Sequence, residues 1–307
     1  MEPSPELSIV VPVFNGSRTL LALLAGIHEA MVVIGRPFEV LLIDDGSTDE
    51  SWRIILELRA QHPEVVRGIR LARNSGQQAA TYCGLLEARG SWVVTLDDDL
   101  TPHPAQIITL WEHARAHQPD VLYGVCARLH QGLAHRLAAR LFRMLLRRIA
   151  PSFPDGSSFR LIRGEILRSL PRHAGPWILV DPVLAWHTSA FASVAVEHGR
   201  AESGPSRYPL HALFAIAITL LVTYSRLPLR LMTGLGLLSA IVSFGLGLYY
   251  LFQKITVGAQ IGFSALIVTT TFASGVILLS LGILGEYVSR IHTMASGEPA
   301  FSIKTMV

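Results

Sequence analysis

The sequence predicts a doubly wound α/β domain with a mostly parallel sheet, followed by a hairpin of two transmembrane helices. Two observations support this prediction. Over roughly the first 125 residues, short apolar runs rich in β-branched residues alternate with helical stretches, which is the order of elements in α/β folds. Residues 209–285 then hold no acidic side chain and only three basic ones, whereas the other 230 residues hold 46 of the 49 charges. A charged domain of ordinary composition therefore precedes an apolar one.

The first half of the α/β pattern places a strand at Leu7–Phe14, where LSIVVPVF is apolar enough to be buried on both faces of a parallel sheet. A helix follows over about residues 17–34. The second strand, Phe38–Ile43, runs into Asp-Asp-Gly-Ser. Ser47 and Glu50 then have the spacing of a capping box, which predicts a helix over residues 49–61.

The second half repeats the pattern. A strand at Val65–Leu71 precedes a helix over about residues 76–89, and a strand at Trp92–Leu96 runs into three consecutive aspartates. A helix from Pro104 and a strand near Val121–Val125 continue the alternation. Ligands of doubly wound sheets bind beyond the carboxyl ends of the strands, and both acidic clusters occupy such ends.

The C-terminal part has the pattern of a membrane domain. Leu231–Phe252 is uncharged and about 33 Å long as a helix, which matches a hydrocarbon core of about 30 Å. Residues 261–284 form a second such run, and residues 209–226 suit a juxtamembrane interfacial helix. Basic residues flank the outer ends of the hairpin. The positive-inside rule therefore places domain 1–208 and tail 286–307 in the cytoplasm, in a multi-pass protein of the inner (plasma) membrane.

The three consecutive aspartates are the strongest chemical signal. Neighbouring carboxylates repel one another unless a cation lies among them. Asp97 and Asp99 have the hard oxygen ligands that suit Mg²⁺ or Mn²⁺ bridging a diphosphate. A solvated turn explains these aspartates equally well by themselves. A second pair, Asp44 and Asp45, at another strand end favours a site that holds a nucleoside as well as a diphosphate.

Other site classes are excluded by their absent motifs. The sequence has no P-loop GxxxxGK[ST], no GxSxG elbow and no HExxH. Two cysteines without a CxxC pattern exclude a disulfide scaffold and a structural zinc site. The acidic N-terminus and its short apolar run do not suit a signal peptide.

An arginine-rich segment, residues 128–148, contains no acidic residue. Arg136 and Arg140 follow helical spacing beside a stripe of leucines, as in a basic amphipathic helix at a membrane surface. The alternative is the solvated face of a core helix. The apolar runs downstream favour the membrane surface and contact with a lipid acceptor.

Several motifs together resemble a known family. LSIVVPVFN, IDDGSTDES, SGQQAATYCGL and DDDL resemble the family-2 nucleotide-sugar glycosyltransferases with the GT-A fold, a Rossmann-like α/β architecture. SSFRLI, the run Arg200–Tyr208, SRLPLR and LGEYVSRI resemble the polyprenyl-phosphate branch of that family. This branch includes dolichyl-phosphate mannose synthases and undecaprenyl-phosphate glucosyl- and aminoarabinosyl-type transferases.

The resemblance implies an activity and its partners. We expect an inverting transfer of a sugar from a nucleoside-diphosphate sugar to a polyprenyl (undecaprenyl) phosphate at the cytoplasmic leaflet, for cell-envelope glycan or lipid modification. We also expect Mg²⁺ or Mn²⁺, contact with the lipid bilayer, a homo-oligomer (a tetramer) and no nucleic-acid partner.

The resemblance also implies roles for individual residues. Pro12 and Phe14 flank the nucleoside, and Asp44 and Asp45 contact base or ribose. Asp97 and Asp99 hold the metal and diphosphate, and Arg200, Arg207 and Tyr208 bind phosphates of donor and acceptor. Besides the residues that the resemblance gives, the sequence offers Asp155 as a catalytic candidate, and the candidates for substrate binding are Asp98, Ser158, Arg160, Arg136 and Arg140.

Three positions depart from the family pattern. Gly16 replaces a common glutamate, Thr101 replaces a glutamine after the aspartates, and Ser158 replaces an aspartate proposed as a base. Asp155 lies three residues before Ser158. An acceptor phosphate monoester has a second pKa of about 6 and is largely a dianion at neutral pH, so it needs positioning more than deprotonation.

Two alternatives stay open from the sequence. The first is a processive polysaccharide synthase, although these usually carry QxxRW, where this chain has Ser206-Arg207-Tyr208, and more spans. The second is a degenerate, non-catalytic membrane partner of glycan assembly, which the three departures allow.

Overall fold

The computed structural model describes residues 5–126, 157–172, 175, 178–197, 227–257 and 263–307. The chain divides into two compact units. The first, the sheet unit, comprises Met1–Arg207 together with Gly297–Val307, and the second, the helical unit, comprises Tyr208–Ser296.

The sheet unit is built on one mixed sheet, which has eight strands in the described part of the chain. The strands are β1 (Leu7–Val13), β2 (Phe38–Asp44), β3 (Val66–Leu71), β4 (Trp92–Thr95), β5 (Val121–Cys126), β6 (Arg160–Arg163), β7 (Phe191–Val196) and β8 (Ile303–Met306). Their spatial order is β7-β5-β6-β4-β1-β2-β3-β8. β1 pairs in parallel with β2 and β4, β2 with β3, and β5 with β7. β6 and β8 are antiparallel to their neighbours.

Helices cover both faces of this sheet. In chain order they are α1 (Leu20–Ile34), α2 (Ser51–Gln61), α3 (Gln77–Glu87), α4 (Gln106–His117), α5 (Gly164–Leu167) and α6 (Val180–His187). Alternate residues of β1 face opposite sides: Ile9 and Val11 pack in the core with α1, α2 and α4, and Val10 packs in the core with α3 and α6. The prediction of a doubly wound sheet with strands buried on both faces is confirmed.

The predicted capping box before α2 is wrong. Glu50 is the N-cap residue and makes no side-chain capping hydrogen bond. The Ser47 hydroxyl instead accepts a hydrogen bond from the backbone N–H of Asn15 at 3.0 Å. Asp49 instead satisfies a backbone N–H at the start of α2: its Oδ1 accepts the Ser51 N–H at 3.0 Å. Ser47 therefore links the loop that follows β1 to the loop that follows β2 and does not cap a helix.

The end of the chain returns to the sheet, which the sequence pattern did not predict. β8 lies inside the predicted tail and pairs antiparallel with β3. Gly68 and Val307 exchange backbone hydrogen bonds at 3.0 and 2.9 Å. A Cβ at Gly68 would lie 2.6 Å from Ile55 Cγ2 and 3.0 Å from Val307 Cγ2, so this approach requires a glycine.

The helical unit contains α7 (Leu227–Val257) and α8 (Phe263–Ala295). Large apolar side chains are exposed on both helices; Phe244 is 71% and Phe272 66% exposed. Among the described residues, one stretch, Phe272–Thr293, is long and apolar enough to cross a membrane by length and composition. The predicted two-span hairpin stays a prediction. The expected interfacial helix at 209–226 and the basic segment 128–148 lie outside the described residues.

Candidate active site

The candidate site lies where β1, β2 and β4 end side by side. Because these three strands are parallel neighbours, their carboxyl ends meet at one edge of the sheet. The backbone N–H of Phe14, after β1, donates to Asp98 Oδ2, after β4, at 3.3 Å. Asn15 Oδ1 accepts the Thr48 N–H, after β2, at 2.9 Å. The two acidic clusters predicted from the sequence are thus brought to the same edge.

Asp97 is held by two hydrogen-bond donors from distant parts of the chain. Gln77 Nε2, at the start of α3, donates to its Oδ1 at 2.6 Å, and Ser158 Oγ donates to its Oδ2 at 2.5 Å. Burial raises the pKa of Asp97, and the charge of Asp99 adds to this, while the Ser158 hydrogen bond and the Arg160 charge act in the opposite direction. Two hydrogen bonds therefore fix the orientation of Asp97, and its burial disfavours the charged form of the side chain.

Asp98 fills the space beside Gly16. Burial raises the pKa of Asp98 to about 6, the Phe14 N–H opposes this, and the charges of Asp99 and Asp97 add to it. A Cβ at Gly16 would lie 2.5 Å from Asp98 Oδ2. The departure from glutamate at this position thus has a physical reason, since the room for a side chain is taken by the Asp98 carboxylate.

Asp99 is the exposed member of the cluster. The backbone N–H of Thr101 donates to its Oδ1 at 2.9 Å and fixes the carboxylate against the following turn. Among the described residues, no group of three or more His, Cys, Asp or Glu side chains could hold a metal ion. Asp97 and Asp99 nevertheless fit Mg²⁺ or Mn²⁺, because such ions are often bound by one or two carboxylates and completed by water and substrate phosphates. Burial raises the pKa of Asp97 and the charge of Asp99 adds to it; a bound cation would act in the opposite direction.

Asp44 and Asp45 are engaged within the protein. Asp44 is fully buried, lies 3.1 Å from Arg70 Nε and accepts the Ser47 N–H at 3.1 Å. Asp45 accepts the backbone N–H groups of Ser75 and Gly76 at 2.7 and 2.8 Å. Burial raises the pKa of Asp45, and these two hydrogen bonds oppose the shift. Both carboxylates fix the loops around the site, and their contact with base or ribose stays a prediction.

The glycine between these loops is required for their close approach. Gly46 has a φ of +70°, in the left-handed region that favours glycine. A Cβ there would lie 2.8 Å from the backbone nitrogen of Asn74. The loop after β2 and the loop before α3 therefore pack backbone to backbone beside the site.

Ser158 and Arg160 lie on the other side of β4, where β6 begins. The Thr95 hydroxyl donates to the Ser158 carbonyl. Arg160 is 2% exposed and forms an ion pair with Asp181 of α6. The Tyr123 hydroxyl of β5 donates to the same oxygen, Asp181 Oδ1, at 3.0 Å. Arg160, expected to bind substrate, thus lies beneath the site rather than on its surface.

The other predicted site residues are placed as follows. Pro12 is buried at the end of β1, and Phe14 is 48% exposed just beyond it. The remaining six lie outside the described residues: Arg136, Arg140, Asp155, Arg200, Arg207 and Tyr208.

Sequence reasoning missed three residues that shape the site. Gln77 stands in the SGQQ run that carried the family resemblance, so its position could have been noted. Tyr123 and Asp181 have no local signal, because their roles depend on the packing of β5 and α6 against β6.

The family is established by comparison with known proteins. The model for glycosyl transferase family 2 matches residues 8–165. The undecaprenyl-phosphate 4-deoxy-4-formamido-L-arabinose transferase of Pectobacterium carotovorum strain PC1 is 31% identical over 98% of this chain and 94% of its own. The enzyme of the same name from Pseudomonas aeruginosa strain PAO1 is 31% identical over 100% of this chain and 92% of its own.

A solved structure shares the fold. Glucosyl-3-phosphoglycerate synthase from Mycobacterium tuberculosis, in complex with Mn²⁺ and UDP-glucose, superposes with a TM-score of 0.50. It is 19% identical and aligns with 71% of this chain and 77% of its own, so it shares the architecture. With its family-2 match, its full-length relatives and this architecture, the chain belongs to glycosyl transferase family 2 and is a glycosyltransferase with the GT-A fold.

Proposed function

We propose that this glycosyltransferase moves a sugar from a nucleoside-diphosphate sugar to a polyprenyl phosphate, undecaprenyl phosphate in particular, at the cytoplasmic leaflet of the membrane. The observation that carries the proposal is the extent of the similarity. The relatives named as undecaprenyl-phosphate transferases match over 98% or more of this chain, so the similarity includes the helical unit as well as the sheet. The exposed apolar side chains of α7 and α8 suit an acceptor that lies in a membrane.

The chemistry is a displacement at the anomeric carbon of the sugar. An oxygen of the acceptor phosphate forms a bond to that carbon, the bond from the carbon to the donor diphosphate breaks, and the nucleoside diphosphate leaves with the electron pair. Attack from the face opposite the leaving group inverts the configuration. The acceptor is largely a dianion at neutral pH, so no side chain has to remove a proton. Catalysis then depends on positioning and on stabilising the departing diphosphate.

The described residues supply the donor side of this reaction. We propose that Phe14 packs against the nucleoside and that Asp97 and Asp99 face the diphosphate. A divalent cation, when bound by these two aspartates, would offset the negative charge of the leaving group. Gln77 and Ser158 keep the Asp97 carboxylate in one orientation, so that little reorganisation is needed during the reaction.

The acceptor side rests on residues outside the described part of the chain. We propose that Arg200, Arg207 and Tyr208 bind phosphate oxygens, because the arginine fork matches them in geometry and charge. Arg136 and Arg140 would hold the basic segment at the anionic membrane surface. Asp155 as a substitute base and a reaction without a base stay open alternatives, and a tetrameric assembly stays a prediction of the family resemblance.

The topology of the sheet supports the predicted hairpin. β8 follows the helical unit and pairs with β3, which precedes it. Chain segments in one folded sheet lie on the same side of a membrane. An even number of crossings between residues 208 and 296 is therefore required, and two helices, α7 and α8, are available for them.

The proposal is tested with membranes from cells that express the wild type or an Asp99→Asn variant. The membranes are incubated with undecaprenyl phosphate and a panel of labelled nucleotide sugars, beginning with a donor of 4-deoxy-4-formamido-L-arabinose, the sugar for which the relatives are named. We expect one donor to give label in the organic extract with the wild type and not with the variant. If no donor labels the lipid with the wild type, the proposal is contradicted; equal labelling by both proteins would contradict the role of Asp99.

A further inference from the structure

A buried ion pair links β6 to α6 next to the candidate site. Nη1 of Arg160 donates a hydrogen bond to Asp181 Oδ1, which also accepts the Tyr123 hydroxyl at 3.0 Å. The guanidinium carbon lies 6.0 Å from the centre of the Tyr123 ring. We refer to Arg160, Asp181 and Tyr123 as the Arg160 cluster. Each member fixes the orientation of the other two.

The Arg160 cluster supports the segment from which Ser158 reaches Asp97. Arg160 lies directly opposite Thr95 in the register of β6 with β4. The Thr95 hydroxyl bonds to the Ser158 carbonyl, and the Ser158 hydroxyl bonds to Asp97. The charge of Arg160 is close enough to act on Asp97 directly. A path of contacts thus runs from Asp181 through Arg160 to the Asp97 carboxylate.

Stability alone does not explain this ion pair. The free energy needed to move two charges out of water is about as large as the free energy gained from their attraction. A protein with apolar residues of similar size at these positions is often equally stable. Arg160 is 2% exposed, and its Nε has no hydrogen-bond partner among the described residues. An incompletely satisfied buried charge calls for an explanation, and the position of Arg160 next to the candidate site offers one.

We propose that Asp181 is a positioning residue of the transferase: by holding Arg160, it fixes the Ser158–Asp97 contact and with it the carboxylate that faces the donor diphosphate and its divalent cation. This inference rests on the proposed function. Partners that orient a metal-binding carboxylate typically affect metal affinity by about 10- to 100-fold. Asp181 is therefore expected to influence cation binding although it does not touch the cation.

The test measures Mn²⁺ binding by electron paramagnetic resonance on the detergent-solubilised full chain, with UDP and GDP in parallel. Asp181→Asn should weaken Mn²⁺ binding about tenfold or more and should also lower the Tm, by about 10 °C, because it leaves Arg160 unpaired. Asp181→Glu keeps the charge and should stay within about threefold of the wild type in Mn²⁺ affinity.

A double variant separates positioning from stability. Arg160→Met combined with Asp181→Leu removes both charges, so the Tm should recover towards the wild-type value while the Mn²⁺ affinity stays low. The matched control is Glu39→Gln, which breaks a buried ion pair with Arg67 at the amino-terminal ends of the strands. That variant should lower the Tm without changing Mn²⁺ binding.

The outcomes distinguish a failure of this inference from a failure of the proposed function. If the double variant or Asp181→Asn binds Mn²⁺ as tightly as the wild type, the Arg160 cluster is only structural and the inference is overturned, while the proposed function stands. If the wild type binds no Mn²⁺ with either nucleotide and transfers no sugar, the proposed function fails and the inference fails with it.

Discussion

Ser158 Oγ donates a hydrogen bond to Oδ2 of Asp97 at 2.5 Å, although the two residues are 61 positions apart in the chain. The contact forms because β6 runs antiparallel to β4, which places the start of one strand beside the end of the other. A hydroxyl at this position cannot take the role of base that is proposed for the aspartate of some family members. Ser158 instead holds Asp97, the acidic side chain that we propose faces the donor.

Removing this hydroxyl should therefore impair catalysis more than folding. A hydrogen bond to a charged group is worth about 1.5–3 kcal/mol, so Ser158→Ala should lower kcat/KM for the donor by about 10-fold or more. Ser157→Ala is the matched control, because the Ser157 hydroxyl accepts the Phe159 N–H and does not contact Asp97. Equal activities of the two variants in a steady-state transfer assay would contradict the role of Ser158.

Asp99 should be essential for activity and dispensable for folding. Its side chain is exposed at the end of the cluster, so Asp99→Asn should leave the Tm almost unchanged. Transfer should fall by about 100-fold or more, since charge stabilisation by a bound metal is worth several kcal/mol. Full transfer by this variant in excess EDTA would refute both the role of Asp99 and the need for a metal.

Much of this site could be predicted from the sequence, because the order of the strands brings its residues to one edge of the sheet. Apolar runs ending in Asp-Asp-Gly-Ser and Asp-Asp-Asp predict acidic side chains at one sheet edge once both strands pair in parallel with β1, which lies between them. The burial of Arg160 could not be predicted in this way. Its partners come from β5 and α6, and the contact depends on packing between elements far apart in the chain.

The terminal strand β8 was missed for a related reason. IKTM is short and contains polar residues, so it has little strand signal of its own. It becomes a strand because β3 offers an unpaired edge, and Gly68 leaves room for Val307. A local pattern cannot show that such an edge is available after a long helical insertion.

Gly16 and Asp98 should behave as a coupled pair. Gly16→Ala places a Cβ 2.5 Å from Asp98 Oδ2 and must displace that carboxylate, so we expect a loss of donor affinity of about 10-fold. In an Asp98→Ala background the same change should cost little, because the clash is gone. Isothermal titration with the donor nucleotide across the double-mutant cycle measures the coupling. Additive effects would show that the two positions act independently.

Asp98 should also make stability depend on pH. Its pKa is raised to about 6 in the folded protein, mainly by burial, so the folded state holds this proton more tightly than the unfolded state. Stability from this group is present below about pH 4 and is lost as the pH rises to about 6. At pH 7.5, Asp98→Asn should therefore stabilise the metal-free protein by about 1 kcal/mol. This is less than the full pKa shift implies, because solvent screens the partly exposed carboxyl. At pH 4.5 the stabilisation should be smaller. A difference in Tm that is the same at both pH values would contradict this.

The hairpin predicts a specific labelling pattern. In a background without Cys83 and Cys126, a cysteine at position 258, between α7 and α8, should react with an impermeant thiol reagent in intact cells. A cysteine at position 296, after α8 and before β8, should react only after the cells are lysed. Protection at 258 with labelling at 296 would place the sheet unit outside the cytoplasm and contradict the proposed topology.

The central claim is that the chain joins the sugar, and not a sugar phosphate, to a polyprenyl phosphate. It is tested most directly with the purified full chain, undecaprenyl phosphate and a nucleotide sugar carrying ³H in the sugar and ³²P in the β-phosphate. We expect a lipid product that contains ³H and no ³²P, with all ³²P released in the nucleoside diphosphate. A lipid product that contains ³²P, or ³H released as free sugar with no lipid product, would contradict it.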